Sequence, residues 1–164
     1  MHTRCRVVRM DLKTLRLASI RLTDTLLTQY LAYQRVLVTE LDKTEPDTDW
    51  SGRFAFAHSH ALVASKLDAV TYGKIKALVG DFCGHETTLR QVKERLAVAR
   101  ANPSPSAKEQ QLIARAEEEL PGLEGDSALV DRYGAEAVAL LATHGDEVIR
   151  LHREVTHREG CTRG

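Results

Sequence analysis

Apolar residues in this chain recur every three or four positions along one stretch after another. That spacing puts them on one side of a 3.6-residue helix. In residues 11–41 the stripe is Leu15, Leu22, Leu26, Tyr30, Tyr33, Leu37 and Leu41. In 69–101 it is Tyr72, Ile75, Leu78 or Val79, Phe82, Leu89, Val92, Leu96 and Ala99. In 126–158 it is Val130, Tyr133, Ala137, Leu141, His144, Val148, Leu151 and Val155. A helix that is apolar along one side must bury that side. Several such helices joined by short loops bury their stripes most simply against one another. The pattern therefore predicts an all-α protein, an antiparallel helical bundle of four major helices plus one or two short helices.

Proline and glycine mark the joints. Pro46, the pair Pro103 and Pro105, and Pro121-Gly122 stand where the helical rhythm stops. Residues 53–64 are ambiguous, because Phe54-Ala-Phe-Ala-His-Ser-His-Ala61 alternates like a strand. A strand needs partners, and no other stretch offers one, so the segment is read as helix. Ser65 to Asp68 then forms a short connection, with Asp68 as the N-cap of the next helix. Ser106-Ala-Lys-Glu109 is a capping box and marks a further helix start. That helix carries Leu112, Ile113, Ala116 and Leu120 and is expected to stop at Pro121-Gly122. Gly80 and Gly84 lie one turn apart within the third segment. They predict either a close approach of a neighbouring backbone or a break at Gly84. Tyr133-Gly134 reads as a helix end that divides the last segment.

With 164 residues the chain has the length of one domain, assigned here to 11–158. Residues 1–10 read as a basic arm, with Met10 as an alternative start, and 159–164 as a flexible C-terminal tail. Lys plus Arg equals Asp plus Glu at 23 each. Nucleic acid is therefore not expected as a partner, since that affinity rests on neutralising phosphates. A helix-turn-helix around Leu62 to Ile75 would present Asp68, Thr71, Tyr72, Lys74 and Lys76 but no arginine, which argues the same way. No run of 18 apolar residues is present, so no transmembrane segment is expected. Asp11, Lys13, Arg16 and Arg21 interrupt any export signal. Cys5, Cys83 and Cys161 are too few and too scattered for a disulfide framework, and the expected location is cytoplasmic. One Trp, three Phe and four Tyr imply a core of Leu, Val and Ala, and no aromatic ligand pocket.

The chemistry-bearing candidates are histidines. His85 and His144 fall on apolar stripes where leucine is expected. Facing histidines in a bundle core can ligate a metal or haem. Cys83-Gly-His85 resembles a metal pair, but residues two apart on a helix point about 200° apart, so only a break at Gly84 would bring them together. Glu154-Val-Thr-His157 occurs once, whereas di-iron bundles use such a motif twice. His58 and His60 share the geometry of Cys83 and His85. No nucleophile elbow, phosphate loop or dinucleotide fingerprint occurs, and no catalytic residue is assigned. The sequence thus points to a non-enzymatic helical-bundle protein that acts through protein–protein interaction or self-association, with a protein partner or a homo-oligomer. No cofactor is expected on that reading. The alternative is a metal- or haem-binding bundle that uses His85 and His144.

Overall fold

A computed structural model describes residues 20–43 and 49–160, and every regular element among them is an α-helix. The helices are α1 (Asp24–Asp42), α2 (Trp50–Ser65), α3 (Ala69–Arg100), α4 (Ala107–Glu124), α5 (Ser127–Tyr133), α6 (Ala135–Thr143) and α7 (Gly145–Gly160). The basic arm at 1–10, Leu15, Pro46, Cys5 and residues 161–164 of the expected tail, Cys161 among them, lie outside the described residues, whereas Glu159 and Gly160 of that tail belong to helix α7.

Local chemistry sets most of the boundaries. Helix α1 starts later than the stripe suggests, because Thr23 is its N-cap: the Thr23 Oγ1 accepts the Leu26 amide hydrogen at 3.2 Å. Asp49 caps α2 by accepting from the Ser51 and Gly52 amides. That cap settles the ambiguous Phe54–Ala61 stretch as helix. Ala57, Ala61 and Ser65, four residues apart, form its buried side. Lys66, with φ 58°, closes α2 in a left-handed conformation. Asp68 caps α3 as the sequence predicts, accepting from the Val70 and Thr71 amides. The capping box of α4 is present in both directions.

Three expectations change. Helix α3 runs unbroken through Gly84, and at Gly80 and Gly84 an added Cβ would meet nothing within 4 Å. Neither a break nor a close backbone approach occurs there, since an uninterrupted i to i+4 ladder on both sides outweighs the roughly 1 kcal/mol each glycine costs. Helix α4 does not end at Pro121 but continues to Glu124. No residue of α4 is buried, so water can satisfy the carbonyl that Pro121 leaves without a donor. The last segment divides at Gly134, with φ 88°, as Tyr133-Gly134 predicts, but a second and unexpected interruption falls at His144.

The core contains Leu27, Leu31, Leu37 and Leu41 of α1, Ile75, Leu78, Val79 and Phe82 of α3, and Leu141, Val148, Leu151 and Val155 of α6 and α7. Each such side chain taken from water contributes roughly 1.5–3 kcal/mol. Ion pairs fix the directions. Arg90 with Asp146 (3.2 Å) and Lys76 with Glu159 (3.5 Å) make α3 and α7 antiparallel. Arg35 with Glu147, and Asp42 with Arg158 (2.8 Å), make α1 and α7 parallel neighbours.

Helix α3 has 32 residues, which at ~1.5 Å per residue is about 48 Å. Its buried residues run from Tyr72 to Cys83, and beyond them only Leu96 is buried. Helix α4 lies antiparallel against this second half, tied by Lys93 to Glu124 (2.8 Å) and Arg100 to Glu117 (2.6 Å). The result is a bundle with a two-helix arm.

Candidate functional site

The arm is an amphipathic hairpin whose seam is covered on one side only. Its stripes come from the sequence rhythm, with Val92, Leu96 and Ala99 on α3 facing Leu112, Ile113 and Ala116 on α4. These six residues, with Arg95 and Glu109 at the rim, line an open groove of about 380 Å³. Leu112 is 58% exposed, and Val98 beside the groove is 75% exposed. Glu94, Arg95, Val98 and Glu109 border a continuation of the same depression. Arg95 makes no ion pair among the described residues. The rim thus offers one uncompensated cation next to acidic groups, above an apolar floor.

A second cluster sits where the arm leaves the bundle. His85 on α3 is largely buried, with a side chain 18% exposed. Its Nε2 lies 3.4 Å from an Asp126 carboxylate oxygen, without the alignment of a hydrogen bond, and the nitrogen is shut off from solvent. One donor atom each from His85, Glu86 and Asp126 lies within 4.8 Å of the others. His144 is not part of this group. It is exposed at the end of α6, in a depression that it shares with Glu86, Arg90 and Asp146. The apolar stripe therefore misplaces His144: the helix stops there, and the chain turns into α7 before that side chain can join the seam. Cys83 faces the core while His85 faces Asp126, as two positions on an unbroken helix require. Burial pushes the Cys83 thiol up to about 12, so it stays protonated and unreactive. The Glu154 carboxylate takes a hydrogen bond from Arg150 at 2.7 Å, and His157 is exposed.

The third cluster was not read from the sequence. Tyr30 and Tyr33 of α1, His58 of α2 and Tyr72 of α3 form one aromatic group. The Tyr33 and Tyr72 ring centres are 4.5 Å apart, and those of His58 and Tyr72 are 5.0 Å apart. The low aromatic content suggested a core of Leu, Val and Ala, yet three of the four tyrosines converge in it. Their common place on two apolar stripes was the available signal. The Tyr33 hydroxyl lies 2.6 Å from the His58 Nδ1, and the Gln34 Nε2 donates to the Tyr30 hydroxyl at 2.7 Å. Burial and then the Lys76 ammonium hold His58 below its usual range. The donor and acceptor in this contact follow the tautomer that His58 adopts. Burial, reinforced by Tyr72, raises the Tyr33 phenol far above its usual range. Tyr30 and Tyr33 are almost wholly inaccessible. The cluster is a hydrogen-bonded filling of the bundle rather than a place for a substrate.

Comparison of the chain with family models, with curated proteins and with solved structures returns no match.

Proposed function

We propose that this is a non-enzymatic interaction protein, and that its α3–α4 arm binds a second copy of the same chain. The observation that carries the reading is α4 itself: 18 helical residues, capped at the start, with none buried. Helical stability in proteins comes mostly from packing an amphipathic face. An arm packed on one side only lacks part of that support, and a second hairpin laid across the groove supplies it as a four-helix arrangement.

Charge favours a copy of the chain as the occupant. A two-fold axis brings each patch against itself, so residue i of one chain meets j of the other and j meets i. The rim carries Arg95 beside Glu94 and Glu109, and a rotated copy sets each arginine against the opposing acids. The cytoplasmic setting inferred from three scattered cysteines belongs to the same reading. Among the described residues no helix is long and apolar enough to cross a membrane.

Light scattering on the purified chain over a range of concentrations tests this. The expected mass is that of a dimer at tens of micromolar, an ordinary strength for a modest interface after the freedom lost on association. Leu112→Asp, at an exposed position, is expected to give a monomer with unchanged helicity. Arg95→Glu is expected to weaken the dimer at least tenfold. A wild-type chain that stays monomeric throughout would remove the reading.

A further inference from the structure

Where the arm joins the bundle, we propose that His85, Glu86 and Asp126 form a site for a divalent transition-metal ion of the zinc type. Three independent observations support this.

First, the spacing fits. Zinc binds imidazole nitrogen and carboxylate oxygen at about 2.0–2.2 Å in tetrahedral geometry, which sets neighbouring donors about 3.3 Å apart. The His85 Nε2 and the Asp126 Oδ1 are 3.4 Å apart. That is long for a charge-assisted hydrogen bond, which would be roughly 2.7–2.9 Å. The N–H direction is also wrong for one, and Nε2 has no hydrogen-bond partner. A carboxylate oxygen of Glu86 lies within 4.8 Å of one donor atom each of His85 and Asp126.

Second, Asp126 does not do what its position would have it do. It is the N-cap residue of α5, where an aspartate ordinarily accepts a backbone amide hydrogen, yet its side chain makes no cap hydrogen bond. The carboxylate is instead directed to His85.

Third, the charge is uncompensated. Two carboxylates face one imidazole, and Glu86 makes no ion pair among the described residues. Arg90, in the same depression as Glu86, is engaged by Asp146. Two carboxylates beside one imidazole make the donor set net negative in either form of the ring, and a divalent cation offsets that charge. One nitrogen and two oxygens suit the borderline first-row metals. Asp126 is 44% exposed, so water can take the fourth position. A bound ion would fasten α3 to the start of α5.

The test is titration of the full chain, stripped with a chelator, using Zn²⁺ against a chromophoric competitor, with Co²⁺ absorption as a spectroscopic check. One equivalent per chain is expected, with a tetrahedral Co²⁺ spectrum and a rise in melting temperature that depends on metal concentration. His85→Ala and the near-isosteric Asp126→Asn are each expected to weaken binding about tenfold or more. His144→Ala and His157→Ala are expected to leave it unchanged. Circular dichroism of the metal-free variants separates lost ligation from lost folding, and Asp126→Asn keeps the test informative if His85→Ala unfolds. Equal Zn²⁺ binding by wild type and Asp126→Asn, meaning an adventitious ion only, overturns the proposal. A loss in His144→Ala as large as in His85→Ala also overturns this donor set.

Discussion

Single side chains give this fold a dependence on pH. Burial, and then the charge of Lys76, holds His58 below the usual 6.5. Burial also holds His152 down, against a smaller upward pull from Glu159. Both histidines bind a proton more readily in the unfolded chain than in the folded one. Between their folded values and about 6.5 the unfolded state carries more protons, so stability falls as pH drops through that window. Glu40, Asp42 and Asp68 act lower on the scale. Their nearest partners, Lys43, Arg158 and Thr71 respectively, hold them below the usual carboxylate range, so their contribution is lost only as pH falls through those lowered values. Urea midpoints measured from pH 7.5 to 5 are therefore expected to decline, and His152→Phe is expected to flatten the decline. An unchanged slope in that variant would contradict the assignment. Much of this was hidden from the sequence. His58 sat in an ambiguous segment, and its partner Tyr33 is 25 positions away. Stripes show which side of a helix is buried, but not which polar atoms meet across the core.

Elements were more legible than contacts between them. The caps at Asp68 and Ser106 could be read because capping is local, decided within three or four residues. The tail of α4 and the joint at His144 could not. Pro121 is tolerated because α4 is solvated, a property of its surroundings rather than of the motif. Two glycines illustrate the distinction. Gly84 lies in ordinary helix with nothing near a new Cβ, so Gly84→Ala is expected to stabilise the chain by about 0.5–1 kcal/mol. Gly134 has φ 88°, a backbone state that L residues rarely adopt, so Gly134→Ala is expected to destabilise by about 1 kcal/mol or more despite equally open surroundings. Thermal melts of the two variants should move in opposite directions. A shift of the same sign would mean that the α5–α6 joint relaxes at little cost.

Across the whole molecule, the all-α class followed directly from the three-and-four rhythm, and the arm did not. The same rhythm marks Val92, Leu96, Leu112 and Ile113 as seam residues, but a stripe cannot say whether both sides of a seam are filled. The metal-capable group was half visible. His85 was singled out, while Glu86 and Asp126 were hidden because Asp126 stands 41 positions on, beyond a whole intervening helix.

Arg35 with Glu147 and Asp42 with Arg158 join positions more than a hundred residues apart, whereas α3 and α4 meet across a turn of six residues. Contacts between distant positions are the slow ones to form, because a long stretch must be looped before any contact rewards it. The arm can zip up by itself early, and the rate of folding is then set by the arrival of α7 alongside α1. In stopped-flow refolding, Leu151→Ala should slow the main phase, while Leu112→Ala should leave it untouched.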